Sequence, residues 1–192
     1  HARRFTRRDF TVTFADLQPQ AIQLEEFEPN LAACDPSHVQ NKQLDGFRNQ
    51  PAPAIDCKQW FNLPDGVQSL SMETLKGKVV VAIFWGGFDA TPKGLLRLEQ
   101  MNTLYHAFRD AGDVTFVGIH DSGSDSGEVT EYINAFNVEY PVGIDNETAT
   151  FDLYDIFAIP QIVLIDKKGV LRFYDVEGRL LELIKSLRRE AN

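Results

Sequence analysis

The chain has 192 residues, 43% of them hydrophobic, which suits one domain with an appendage. Its formal net charge of −9 argues against a nucleic-acid partner bound through phosphate contacts. No apolar run reaches about 18 residues, so no membrane-spanning helix is predicted. The two cysteines, Cys34 and Cys57, lie far apart without a CxxC pair, which excludes a cysteine metal framework. They either form a disulfide or remain two unpaired thiols.

The charge is unevenly distributed along the chain. Arg3, Arg4, Arg7 and Arg8 lie among the first eight residues, which contain no acidic residue. A basic head of this kind can seek an acidic surface or lie near a membrane, although a solvated terminus is the simpler interpretation. The chain begins with His1 rather than Met, which indicates a processed form or a piece of a longer protein.

Residues 1–50 differ in pattern from the rest. The stretch "DFTVTFADL" alternates apolar and polar residues like a strand, and the polar, aperiodic sequence after it predicts an extended arm or a small extra sheet. "PAPA" at 51–54 indicates a linker. We therefore predict an N-terminal extension over 1–50 and a folded domain over 51–192.

The domain has an alternating pattern of strands and helices. In chain order the predicted elements are two short strands around a Pro-Asp-Gly turn within 54–70, a buried strand at 79–85, a helix from Thr91 to Gly112, a buried strand at 114–120, a helix through Phe136, a short strand at 139–145, a short helix within 147–157, a hairpin of strands at 161–166 and 170–176, and a closing helix. This order predicts an α/β fold with helices on both faces of a mixed sheet.

The helix after the first buried strand has clear start and packing signals. Thr91 is a good N-cap, and Pro92 suits the first helical position. Spacings of three and four predict a buried face made of Leu95, Leu98, Met101, Leu104, Tyr105 and Phe108.

Three motifs in the right order carry a family resemblance. They are "APAIDCKQW", "LKGKVVVAIFW" and "YDIFAIPQIVLIDKKGVL". Together they resemble the thioredoxin superfamily, and most closely its bacterial cell-envelope branch of TlpA/ResA-like thiol–disulfide oxidoreductases, which grades into the AhpC/TSA peroxiredoxins. The resemblance covers residues 52–189. It implies a thioredoxin-like, three-layer α/β/α fold and an exported or membrane-anchored protein of the periplasm or cell envelope, with room for an anchor upstream.

The sequence departs from this family at the active site. The family continues F-W-A-x-W-C-x-x-C, and an ungapped match places Asp89 and Pro92 at the two cysteines. A shift by one places Ala90 and Lys93 there, and a peroxiredoxin register places Gly94 at the reactive cysteine. The helix N-terminus that would lower a thiol pKa is therefore predicted without the thiol. Asp89 cannot replace it, because a carboxylate carries no redox couple.

Other chemistry has little support. The histidines His38, His106 and His120 lack the spacing of metal ligands, so neither a metal nor another cofactor is predicted. His120 ends a buried strand, where it is either a functional residue or an ordinary strand end.

A binding site is predicted at the same end of the sheet. The resemblance implies a cis peptide bond before Pro160 and a backbone edge that pairs with an extended peptide. Pro160 either supports such an edge or only shapes its loop. The aromatic residues of the preceding loop form either a rim for a partner or part of the core, and the two glycines between them leave room for a backbone. The predicted binding residues are Trp85, Gly86, Gly87, Phe88, Ile159 and Pro160.

These patterns favour a protein that is not an enzyme. The leading prediction is a thioredoxin-like domain without the redox cysteine pair, acting as a non-catalytic module that binds a protein or an extended peptide within a larger envelope protein. The alternative is a thiol–disulfide oxidoreductase or peroxiredoxin-like antioxidant enzyme that uses Cys57, Cys34 or a cysteine of a partner.

Overall fold

A six-stranded mixed sheet lies at the centre of the structure, a computed structural model that describes residues 46–174 and 178–191. The strands are β1 (Cys57–Phe61), β2 (Val79–Trp85), β3 (Val114–His120), β4 (Val142–Asp145), β5 (Gln161–Ile165) and β6 (Leu171–Tyr174). The helices are α1 (Pro92–Phe108), α2 (Ser126–Ala135), α3 (Ala149–Leu153) and α4 (Leu180–Arg189).

The strands follow the order β1-β4-β3-β2-β5-β6. The three central neighbours β4, β3 and β2 run parallel, whereas β1, β5 and β6 each pair antiparallel with their neighbours. The predicted α/β class, the mixed sheet and the terminal hairpin are therefore confirmed. The carboxyl ends of β2, β3 and β4 meet at one edge of the sheet, and the loops that leave this edge form the candidate site.

Strand β2 is buried along its whole length, because both of its faces contact hydrophobic layers. Val81 and Ile83 belong to the core shared with α1, α2 and α4, whereas Val80 and Phe84 belong to a second core on the opposite face, next to α3. Burying one such side chain contributes about 1.5–3 kcal/mol. The continuous apolar run thus explains why β2 lies at the centre of three layers.

Two predicted strands differ from the structure. The second short strand within 54–70 is wrong, because residues 62–70 form turns and irregular backbone. Asn62 ends β1 with a positive φ of 53°, and its Nδ2 donates to the carbonyls of Val138 and Tyr140. The strand predicted from residue 139 begins only at Val142, since Pro141 has no N–H to offer a sheet ladder.

The buried face of α1 is shifted relative to the prediction. Leu98, Met101, Leu104 and Phe108 are buried as expected, and Tyr105 packs against the core. Leu95 is 42% exposed, however, so its predicted burial is wrong. It lies outside the stripe formed by the buried residues, on the flank of the helix.

The described part of the predicted N-terminal extension contacts the sheet. Asn49 N donates to the carbonyl of Leu171, and Pro51 pairs with Val170. Residues 1–45, with the predicted strand in "DFTVTFADL" and Cys34, lie outside the described residues, so the boundary at residue 51 stays a prediction. Within the described ranges, none of the helices is long and apolar enough to cross a membrane.

Candidate functional site

Residues 86–91 connect the end of β2 to the start of α1. Thr91 has an extended backbone, and its hydroxyl oxygen accepts a hydrogen bond from Gly94 N at 3.1 Å. Pro92 follows in the first turn. The predicted cap is therefore confirmed, and α1 directs its free N–H groups and the positive end of its dipole toward this loop.

Asp89 places a carboxylate at this helix start. Its Oδ1 accepts from Thr91 N at 3.2 Å. A Cβ added to Gly94 would come within 2.6 Å of both the Asp89 carbonyl oxygen and Oδ2, so only glycine allows this close approach. The helix dipole favours a negative charge here. Residues 86–94 include no cysteine, and Asp89 supplies that charge instead.

His120 fixes the backbone of this loop through a hydrogen bond. Gly87 N donates to Nε2 of His120 at 2.8 Å, so this nitrogen carries no proton. The proton therefore resides on Nδ1, which donates to the carbonyl of Asp121 at 3.0 Å and lies 3.1 Å from Asp121 Oδ1. The ring is fully buried, and this burial lowers its pKa against the opposing effect of Asp121. The neutral imidazole thus positions the loop rather than facing solvent.

The structure corrects three of the predicted binding residues. The Trp85 indole is 1% exposed and packs against His120, with ring centroids 4.9 Å apart, so it cannot contact a partner. A Cβ on Gly87 would overlap the Tyr132 ring, and one on Gly86 would overlap Phe88. The expectation that these glycines leave room for a partner backbone is wrong, because side chains of this protein already fill that space.

Of the other three residues, Phe88 and Ile159 line a groove, and Pro160 follows Ile159 in the chain. Phe88 is 58% exposed, Ile159 is half-buried, and Pro160 is buried after a cis peptide bond. We call this cavity of about 300 Å³ the Phe88 groove. Its lining includes Phe88, Asp121, Phe151, Asp152, Phe157 and Ile159. It therefore combines aromatic walls with carboxylates at the carboxyl edge of the sheet.

Cys57 lies elsewhere on the sheet. It pairs with Asp145 at the outer strand β1, and β4 and β3 separate it from β2, a distance of about 14 Å at the usual strand spacing. A disulfide requires Cα atoms about 4.4–6.8 Å apart, so Cys57 is out of reach of residues 89–92. Burial raises the pKa of this thiol to about 12, with further increases from Asp145 and Asp56 that a hydrogen bond to Thr150 only partly offsets.

Metal-binding side chains do not gather in the described part of the chain. No group of three or more His, Cys, Asp or Glu side chains there could hold an ion. Of the histidines considered as ligands, His106 is an exposed residue of α1 beside Glu139, whereas His120 bonds the loop backbone.

The family now follows from sequence comparison. A model of the AhpC/TSA family matches residues 49–174. This chain belongs to the AhpC/TSA family. Protein DipZ of Mycobacterium tuberculosis is 26% identical over 171 residues, with 82% of this chain and 24% of DipZ covered. The thiol–disulfide oxidoreductase ResA of Bacillus anthracis is 28% identical over 102 residues, with 53% of this chain and 57% of ResA covered.

Solved structures agree with this family. A thiol–disulfide isomerase from Corynebacterium glutamicum has a TM-score of 0.60 and 26% identity, with 73% of this chain and 97% of that chain covered. A thioredoxin-like superfamily protein has a TM-score of 0.64 and 25% identity over the same shares. The predicted resemblance is confirmed: the chain contains a thioredoxin-like redoxin domain related to thiol–disulfide oxidoreductases. It spans about a quarter of DipZ and slightly more than half of ResA.

Several site residues escaped the sequence analysis. Tyr132, Asp152 and Phe157 come from α2, α3 and the loop before β5, respectively, and nothing in their local sequence indicates that they meet the β2 loop. His120 had one useful signal, its position at the carboxyl end of a buried strand. Its bond to Gly87 could not be read from that position.

Proposed function

We propose that this domain is a non-catalytic binding module that holds an extended polypeptide segment beside Ile159. The observation that carries the proposal is that the described thiol and the start of α1 lie in different parts of the sheet. The N-terminus of α1 faces Asp89, and the described thiol, Cys57, lies three strands away.

The thiol chemistry of the described residues supports this proposal. Thiol–disulfide exchange needs a thiolate that attacks a sulfur and a second sulfur that resolves the mixed disulfide. A thiol with a pKa of about 12 is ionised to about one part in 100,000 at pH 7. Cys57 is also half-buried in the sheet edge rather than presented by a helix start. Exchange through Cys57 is therefore expected to be negligible.

The groove offers what an extended peptide needs. Among the described residues, none bonds to the backbone N–H or carbonyl groups of Ala158 or Ile159. Both residues border the Phe88 groove, next to the exposed rings of Phe88 and Phe157. An extended peptide that pairs with a free backbone edge gains affinity from main-chain hydrogen bonds and selectivity from side-chain pockets. Phe88 and Phe157 would supply the apolar contacts.

The proposal extends to the protein's setting. The resemblance to the cell-envelope branch supports a place in the periplasm or envelope. The partial coverage of DipZ and ResA supports a role as one part of a larger protein.

The binding part is tested with an array of immobilised random heptapeptides probed with the full chain. We expect a selected set to bind, and we expect Phe88→Ala and Phe157→Ala to reduce that binding about tenfold or more, since aromatic anchors dominate such sites. Leu96→Ala is the matched control, because Leu96 is an exposed apolar residue of α1 outside the groove. Equal peptide binding by the wild type and the three variants would overturn the proposal that this groove is the binding site.

The non-catalytic part is tested by insulin reduction and by peroxide turnover with a thiol donor. We expect rates equal to those without protein. Turnover that disappears in Cys57→Ser or Cys34→Ser would favour an oxidoreductase instead.

A further inference from the structure

The Phe88 groove is acidic as well as aromatic. The carboxylates of Asp121, Asp145 and Asp152 line it, and its lining includes no lysine or arginine. Lys58 reaches the rim, where its Nζ lies 3.4 Å from the carbonyl oxygen of Ser122. The groove therefore favours a cationic ligand.

Two of these carboxylates are available to a ligand. Asp145 is fully buried and accepts from the backbone N–H groups of Thr150 and Phe151. Asp152 is exposed and accepts from the Thr148 hydroxyl at 2.7 Å. Asp121 is partly exposed, and its Oδ2 accepts from Gly123 N at 3.1 Å. A carboxylate has about four acceptor sites, so Asp152 retains capacity, and Asp121 retains it at Oδ2, because its Oδ1 is buried beside His120.

Arginine matches this groove better than lysine does. Its planar guanidinium can stack on an exposed aromatic ring and can donate two parallel hydrogen bonds to one carboxylate. Phe88 and Phe157 expose their rings beside Asp121 and Asp152. The expected occupant is thus an extended segment that combines arginines with aromatic residues.

This chain contains such a segment. Residues 3–10 read "RRFTRRDF", with four arginines and two phenylalanines, while the remainder of the chain is strongly acidic. Resting on the proposed function of the groove, we propose that residues 3–10 occupy the Phe88 groove of their own domain. The segment thereby competes with any partner peptide.

The intervening chain is long enough for this contact. Residues 11–45 separate the segment from the described domain, and a chain of that length can reach at most about 115–125 Å. The domain has a radius of gyration of only about 15 Å. Because the segment and the groove belong to one chain, their contact is intramolecular and does not depend on protein concentration.

Photo-crosslinking of the full chain tests the contact. Phe157 is replaced by p-benzoylphenylalanine, and after irradiation the crosslinked peptides of the monomer band are identified by mass spectrometry. We expect links to residues 1–14. The same replacement at Leu96 should give no such links. Reversing the four arginines (R3E, R4E, R7E and R8E together) should reduce the crosslinked fraction by about tenfold, since opposite charges are replaced by like charges.

The outcomes separate this inference from the proposed function. Links found only in a dimer band, or no links to residues 1–14, would overturn it. Peptides that bind the array through Phe88 without a preference for arginine would also overturn it, while the binding function would stand. Intramolecular links together with cysteine-dependent turnover would uphold the groove contact and overturn the non-catalytic function.

Discussion

The start of α1 and the neighbourhood of Cys57 are opposite environments in one sheet. At α1, free N–H groups, Thr91 and the helix dipole favour a negative charge, and Asp89 supplies it. At β1, burial and the carboxylates Asp145 and Asp56 disfavour a negative charge, and a thiol lies there. In this domain, a thiol at the start of α1 is therefore expected to be far more reactive than the thiol of Cys57.

The contrast also separates fold from activity. The AhpC/TSA match and the retained helix start describe the scaffold, which this chain shares with thiol–disulfide oxidoreductases. Thiol–disulfide exchange depends on which side chains occupy the helix start of that scaffold, because it needs an attacking thiolate and a second sulfur. If these two environments differ as described, variants that change the helix start or the loop above β2 should show it.

Moving a thiol to the helix start should have the largest effect. In a Cys34→Ser background, the thiol introduced by Asp89→Cys should have a pKa below about 8.5, because the helix N-terminus stabilises the thiolate. Relative to Cys57, this is a gain of about three thousandfold in thiolate at neutral pH, which lower intrinsic nucleophilicity reduces to about a hundredfold in rate. Iodoacetamide alkylation followed by mass spectrometry measures both thiols in one sample.

The matched control for that variant is Asp110→Cys. Asp110 is exposed in the turn after the C-terminal end of α1, where the dipole disfavours a thiolate. Its introduced thiol should alkylate more slowly than that of Asp89→Cys. Equal rates would show that the helix start does not activate a thiol.

Filling the space between Gly87 and the Tyr132 ring should lower the free energy of unfolding. In Gly87→Ala the new methyl group overlaps the Tyr132 ring, and overpacking of this kind costs about 1–3 kcal/mol. Gly46→Ala is the control, since a Cβ there meets no atom within 4 Å. Urea denaturation measures the free energy of unfolding of both. If Gly87→Ala lowers the free energy of unfolding no more than Gly46→Ala does, then the Tyr132 ring moves aside without cost.

Removing the His120 acceptor of the Gly87 N–H should lower the free energy of unfolding by somewhat less. His120→Phe leaves the buried Gly87 N–H without its partner, a loss of about 1–2 kcal/mol at pH 7.5. Because burial lowers the pKa of His120 below that of the unfolded chain, about 6.5, the unfolded chain binds the proton more tightly. The wild type therefore loses stability as the pH falls from about 6.5 toward the folded pKa.

This pH dependence gives the histidine variant its own readout. The His120→Phe variant has no histidine at this position, so it does not lose this stability as the pH falls. The stability difference between it and the wild type should therefore shrink between pH 7.5 and pH 5.5. His106→Phe replaces an exposed histidine on α1, outside the loop, and serves as the control for the loss of a histidine. A difference that does not vary with pH would contradict a neutral, loop-bonding His120.

Local signals explain what could be predicted from the sequence. The apolar runs of β2 and β3, the Thr91–Pro92 helix start and the terminal hairpin depend on neighbouring residues, and all are present in the structure. The family motifs correctly indicated the thioredoxin-like fold, because each is one continuous stretch of the chain. The acidic residue at the helix start could also be read directly from the chain.

Tertiary structure decided which of those residues face a partner. Trp85 looked available, yet it is buried because His120 and the α1 core cover it. Gly86 and Gly87 looked like open backbone, yet Phe88 and Tyr132 fill the space beside them. These contacts join residues distant in sequence, and no local pattern encodes them. Local sequence thus specified the scaffold and the absence of a cysteine from residues 86–94, whereas long-range packing set the shape and the charge of the groove.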